Sequence, residues 1–126
     1  MSGSIVGLDH VQVAAPPGCE DRARAFYGGL LGLAELEKPP LLASRGGVWF
    51  RVGAAQLHVG VVTDRFVPAT KAHPALRVSS GRDLERLALT LGEHGHAVRW
   101  ADDAETPGTR RFFVDDPWGN RVELVA

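Results

Sequence analysis

The chain has one cysteine, no long apolar run and almost no net charge. A single cysteine excludes an internal disulfide and fits a reducing compartment. No apolar stretch approaches the length of a membrane span. The start Met1-Ser2-Gly3-Ser4 lacks the basic region of a secretion signal, so a cytoplasmic location is expected. The net charge of −1 comes from interspersed signs, which argues against nucleic acid or an anionic membrane as a partner. Low-complexity segments are missing too. What remains is 126 residues, 44% hydrophobic and 23% charged, as in an ordinary soluble domain. One domain of this length buries roughly two-thirds of the surface its unfolded form exposes. Cys19 falls where a helix should begin, and Glu20 and Asp21 oppose the thiol activation that a helix N-terminus can bring.

Periodicity predicts the same order of elements twice. Residues 5–14 alternate as a strand until Pro16-Pro17-Gly18 breaks it. Residues 19–31 place Ala23, Phe26, Tyr27, Leu30 and Leu31 at helical spacing, ending at Gly32. Leu33 to Lys38 reads as a short strand stopped by Pro39-Pro40. Val48 to Val52 and Gln56 to Val62 read as a hairpin about Gly53-Ala54-Ala55. The second copy runs from a strand at 73–79 to a helix capped by Ser80 and ending near Glu93. Strands at 97–100, 110–114 and 121–125 follow. Asp115 to Asn120 is a turn, and residues 63–72 are the linker between a module of about 5–62 and one of about 73–126. His94 and His96, flanking Gly95, are expected in solvent.

Four side chains that can bind a metal recur at matched places in these copies. His10 and His73 stand at the start of each first strand, and His58 and Glu123 lie in each last one. The stretch of chain from His10 to His58 is nearly as long as that from His73 to Glu123. Imidazole nitrogens with a carboxylate suit a divalent transition metal that keeps an open position. Taken singly, each histidine could instead be held by a backbone carbonyl, and Glu123 could pair with an arginine. Three imidazoles converging on a carboxylate would nonetheless make an odd core.

The segments Leu8-Asp9-His10-Val11, Ala25-Phe26-Tyr27 with Leu30-Leu31-Gly32-Leu33, and His73-Pro74-Ala75-Leu76 resemble the vicinal-oxygen-chelate superfamily. So does Phe113 to Leu124, whose Asp115-Asp116-Pro117-Trp118-Gly119-Asn120 turn is the most specific part. That superfamily includes glyoxalase I, fosfomycin-resistance and bleomycin-binding proteins, methylmalonyl-CoA epimerase and extradiol dioxygenases. The resemblance implies an α+β fold of two βαβββ modules whose curled mixed sheets surround a cleft, in a single domain over residues 1–126. It also implies a homodimer, often with the N-terminal module of one chain meeting the C-terminal module of the other. His10, His73 and Glu123 match the recurring ligand set for one divalent metal (zinc, nickel, cobalt, manganese or iron). His58 takes the fourth place, as a ligand, a proton acceptor or a wall residue.

Side chains two apart on a strand share a face. If the ligands face the cleft, Gln12, Gln56, Arg77 and Arg121 do as well. The family alignment adds Trp49, Arg51, Arg111 and Phe113 as substrate-binding candidates. Arginines in a cleft favour an anionic small-molecule substrate, although each alone could form a structural ion pair. The resemblance therefore implies metal-dependent lyase or isomerase chemistry of the glyoxalase type, with Glu123 and His58 as catalytic groups. Two departures stand out: His58 replaces the second catalytic glutamate, and Ala14 replaces an arginine that helps hold glutathione. Gln12 stands where thiol-transferring fosfomycin enzymes carry threonine. The alternatives are a ligand-sequestering protein of the bleomycin-resistance type, an extradiol-type dioxygenase and a fosfomycin-modifying transferase.

Overall fold

A computed structural model describes residues 3–126. Eight strands, β1 (His10–Ala15), β2 (Ala34–Leu36), β3 (Val48–Val52), β4 (Ala55–Val61), β5 (Ala75–Arg77), β6 (Arg99–Trp100), β7 (Arg111–Asp115) and β8 (Arg121–Val125), form two four-stranded sheets. Their orders are β1-β4-β3-β2 and β5-β8-β7-β6, so the same topology occurs twice. In each sheet the first strand lies parallel to the last and the remaining pairs are antiparallel. The chain is an α+β protein of two βαβββ units, and the sheets do not close on one another.

Alternation sets which face is buried. Val13, Leu57, Val59, Val122 and Leu124 all point into one core. There they meet Phe26 and Tyr27 from the first helical segment and Leu84, Ala88 and Leu91 from α3 (Gly81–Glu93). Ser80 caps α3 by accepting the Asp83 N–H at 3.1 Å, as its sequence predicts. The first helix is not regular. α1 (Glu20–Ala23) passes into a wider π-helical stretch, Arg24–Leu30, and the Leu31 N–H reaches the Phe26 carbonyl at 2.9 Å.

A polar network ties the halves together. Asp116, buried at the β7–β8 turn, accepts the Tyr27 hydroxyl at 2.8 Å and the Trp118 and Asn120 backbone N–H groups at 3.0 and 2.9 Å. Asn120 donates its amide to Asp116 and to the Ala14 carbonyl of β1, and its Oδ1 accepts the Ala69 N–H at 3.0 Å. The Arg121 N–H donates in turn to the Ala69 carbonyl at 2.9 Å, so the connecting segment is clasped from both sides.

Several expectations need correction. The first strand begins only at His10; Ile5, Val6 and Leu8 ahead of it are 90%, 98% and 73% exposed, with nothing among the described residues to cover them. His73 lies just before β5, because the buried Pro74 ring intervenes and cannot donate to a ladder. Pro39-Pro40 does stop β2, and then starts a single helical turn, α2 (Pro40–Ala43), with proline in its first turn. His96 is half-buried against Phe26, ring centroids 5.0 Å apart, while His94 is exposed as expected. No described helix is long and apolar enough to cross a membrane.

Candidate functional site

The candidate residues fall into two groups, one on each sheet. On the first, the registers Gln12↔His58 and Trp49↔His58 put those three side chains in one row across β1, β4 and β3. The buried His58 ring lies between two others. Trp49 stacks on it at 3.9 Å with the planes 1° apart, and His10 covers the other face at 4.2 Å. His58 Nε2 donates to Gln56 Oε1 at 2.8 Å, which leaves Nδ1 as its basic nitrogen. Burial, and then the adjoining His10, push the His58 pKa below its ordinary value. His10 Nδ1 donates to the Asp9 carboxylate at 2.8 Å, which leaves His10 Nε2 free.

On the second sheet the register Ala75↔Glu123↔Phe113 centres the group on Glu123. His73 Nε2 stands 3.0 Å from Glu123 Oε1, and Arg111 lies 3.7 Å from the other carboxylate oxygen. His73 Nδ1 donates to the Lys71 carbonyl at 2.8 Å. A neutral His73 has therefore already used its one N–H, and the Nε2 lone pair faces a carboxylate oxygen. Two lone pairs at that distance repel unless a proton or a cation lies between them. Orienting a ligand histidine through its second nitrogen, with a carboxylate or carbonyl as acceptor, is the usual support for metal binding, and both His10 and His73 have it. The donor set fits a divalent metal. Within one chain, however, no three described His, Cys, Asp or Glu side chains gather closely enough to hold one.

The arginines divide as well. Arg111 spans Glu123 and Glu105, the latter at 2.7 Å, so it braces the carboxylate. Arg121 stacks over the Phe113 ring at 5.5 Å, and its buried Nε has no partner among the described residues. Arg51 and Arg77 are exposed and form no ion pair among the described residues. Phe113 also meets His73 edge-on at 5.7 Å. Cys19 is buried against Glu20, and burial followed by the Glu20 charge raises its thiol pKa, so it is not an activated nucleophile. Lys38 and Arg45, beside Trp49, escaped the sequence reading because they lie in the β2–β3 connection, where strand alternation says nothing.

Twinned βαβββ units with histidines on one sheet and a histidine–glutamate pair on the other define a protein of the glyoxalase class. The chain belongs to the Glyoxalase/Bleomycin resistance protein/Dioxygenase superfamily, whose sequence pattern matches residues 7–124. It is 46% identical to a glyoxalase family protein from Bacillus anthracis, with a TM-score of 0.88 over 99% of this chain and 98% of that one. A lactoylglutathione lyase from Agrobacterium tumefaciens shares the fold at 19% identity and a TM-score of 0.74, covering 98% of this chain and 95% of that one. An antibiotic binding protein from Streptomyces does so at 20% and 0.73, covering 98% and 97%. No curated protein matches the chain.

Proposed function

We propose that the protein is a metal-dependent, glyoxalase-like enzyme that works as a homodimer with its modules exchanged. His10 of one chain would meet His73 and Glu123 of the other around one divalent metal. The observation that carries this is the His73–Glu123 pair, whose ring nitrogen and carboxylate oxygen face each other at 3.0 Å, with room for a proton or a cation between them, while the Lys71 carbonyl occupies the other ring nitrogen. Exchange is supported by the open sheets, by the split of the donors into two groups, and by the uncovered Ile5, Val6 and Leu8 beside His10. When bound, the metal supplies Lewis acidity to adjacent oxygens of a small oxygenated substrate. Arg111 holds the Glu123 carboxylate in place. His58, neutral near pH 7 because its pKa is lowered, can accept a proton at Nδ1. Its Nε2 is engaged by Gln56 and its faces by Trp49 and His10, so His58 serves as base and wall rather than as ligand.

Elemental analysis of protein dialysed against mixed divalent metals tests this. The expected result is about one metal per protomer, lost in His10→Ala and in Glu123→Gln but kept in His58→Ala. Metal retained at wild-type affinity in the first two variants would overturn the ligand set. A second reading, a metal-free protein that sequesters a planar ligand, has the Trp49–His58–His10 ring stack in its favour; a metal-free wild type would point to it.

A further inference from the structure

We propose that the cavity beside Trp49 is an anion-binding subsite in which Lys38 and Arg45 hold a carboxylate or phosphate group of the substrate. This deepens the reading above, since it takes the cleft face of the first sheet to bind substrate. The cavity is about 240 Å³, and Gln12, Lys38, Leu42, Arg45, Trp49 and Gly60 contribute to its wall; none of its lining residues is acidic. Arg24, Arg99, Arg110 and Arg111 are each braced by a carboxylate, whereas Arg51 and Arg77, like Arg45, are not. Neither Lys38 nor Arg45 lies within ion-pair distance of a described carboxylate. Lys38 donates to the Gly46 carbonyl, and no hydrogen bond to another described residue restrains the Arg45 side chain. The Glu20 carboxylate that reaches this loop is engaged by the Gly47 N–H at 2.7 Å and is not part of the cavity wall. Two cations lining a cavity whose wall has no acidic side chain attract an anion.

The fold places them there by two local devices. The turn of α2 folds the β2–β3 connection back, and the Arg45 N–H closes it on the Leu42 carbonyl at 3.1 Å. Gly47, at φ 86°, then presses the chain against β4; a Cβ there would come within 2.1 Å of the Val59 carbonyl oxygen. Gly60 performs the second service. Its missing Cβ, which would lie 2.8 Å from Gln12 Cδ, lets the Gln12 amide lie across β4 as part of the wall of the same cavity. The volume suits a small anionic group. The substrate class is accordingly a small oxygenated acid whose anionic end sits here.

Titrating inorganic phosphate into nitrogen-labelled protein, at constant ionic strength against chloride, tests the site. The expected shifts are at the backbone N–H groups of Arg45 to Gly47 and at the Trp49 indole N–H. Affinity should fall about tenfold in Lys38→Gln and in Arg45→Gln, while both variants keep their metal. Arg45→Gln removes no hydrogen bond, so it remains informative if Lys38→Gln disturbs the loop. No shift, shifts confined to Arg77 and Arg121, or unchanged affinity in both variants would each overturn the subsite. If phosphate binds here and the wild type holds no metal, the metal reading fails and the anion subsite stands.

Discussion

Asp116 illustrates how one buried charge is kept. Its carboxylate accepts from Tyr27, from two backbone N–H groups and from the Asn120 amide, all within 3.0 Å. Asp116→Ala would leave a buried hydroxyl and a buried amide short of partners, a cost of about 3 kcal/mol measurable by urea denaturation. Burial, and then the Asp116 charge, hold the Tyr27 pKa well above its ordinary 10.0. The unfolded chain therefore loses this proton first. Stability from Tyr27 is complete below pH 10 and declines as the pH rises beyond it. Tyr27 is the sole tyrosine, so tyrosinate absorbance reports it alone. That absorbance should appear only together with loss of the folded circular dichroism; a tyrosinate formed in folded protein near its ordinary pKa would contradict the buried bond. At this scale the sequence showed donor types and strand faces, since both follow from residue identity and a period of two. It did not show that His58 lies between two rings or that Arg111 braces Glu123, because cross-strand register decides both. His96 misled for a related reason: its cover, Phe26, is distant in sequence.

At the level of elements, legibility followed local signals. The β3–β4 hairpin, the Ser80-capped helix and the β7–β8 turn all stood out, each carrying its own turn or cap residues. The late start of β1 and the π-helical stretch did not, since apolar character at Ile5 and Val6 mimics a strand and helical spacing does not distinguish the wider winding. Two glycines separate structural from functional constraint. Gly47→Ala sets a Cβ against backbone at a positive φ and should cost at least about 2 kcal/mol. Gly60→Ala meets only the mobile end of Gln12, so it should change stability by less than about 1 kcal/mol while displacing that amide. Thermal melts of the two variants check the contrast; equal losses would show that Gly60 is structural too.

At the level of the whole molecule, the duplicated topology was readable and the pairing of the two units was not, because no residue pattern encodes how two open sheets meet. A composite site makes a distinctive forecast. A heterodimer of His10→Ala and Glu123→Ala chains gathers both defects at one site and leaves its other site intact. Co-refolded mixtures should then regain metal that neither variant holds by itself. Recovery would fail if each chain built its own site.

The clasp on Ala69 bears on how such a dimer assembles. With its N–H held by Asn120 and its carbonyl by Arg121, the connecting segment is no hinge. A chain so fixed cannot fold one module over its own other half without breaking those bonds. Dimer formation would then be a collision of two finished chains, its rate proportional to the square of concentration, with no slow unimolecular opening phase before it.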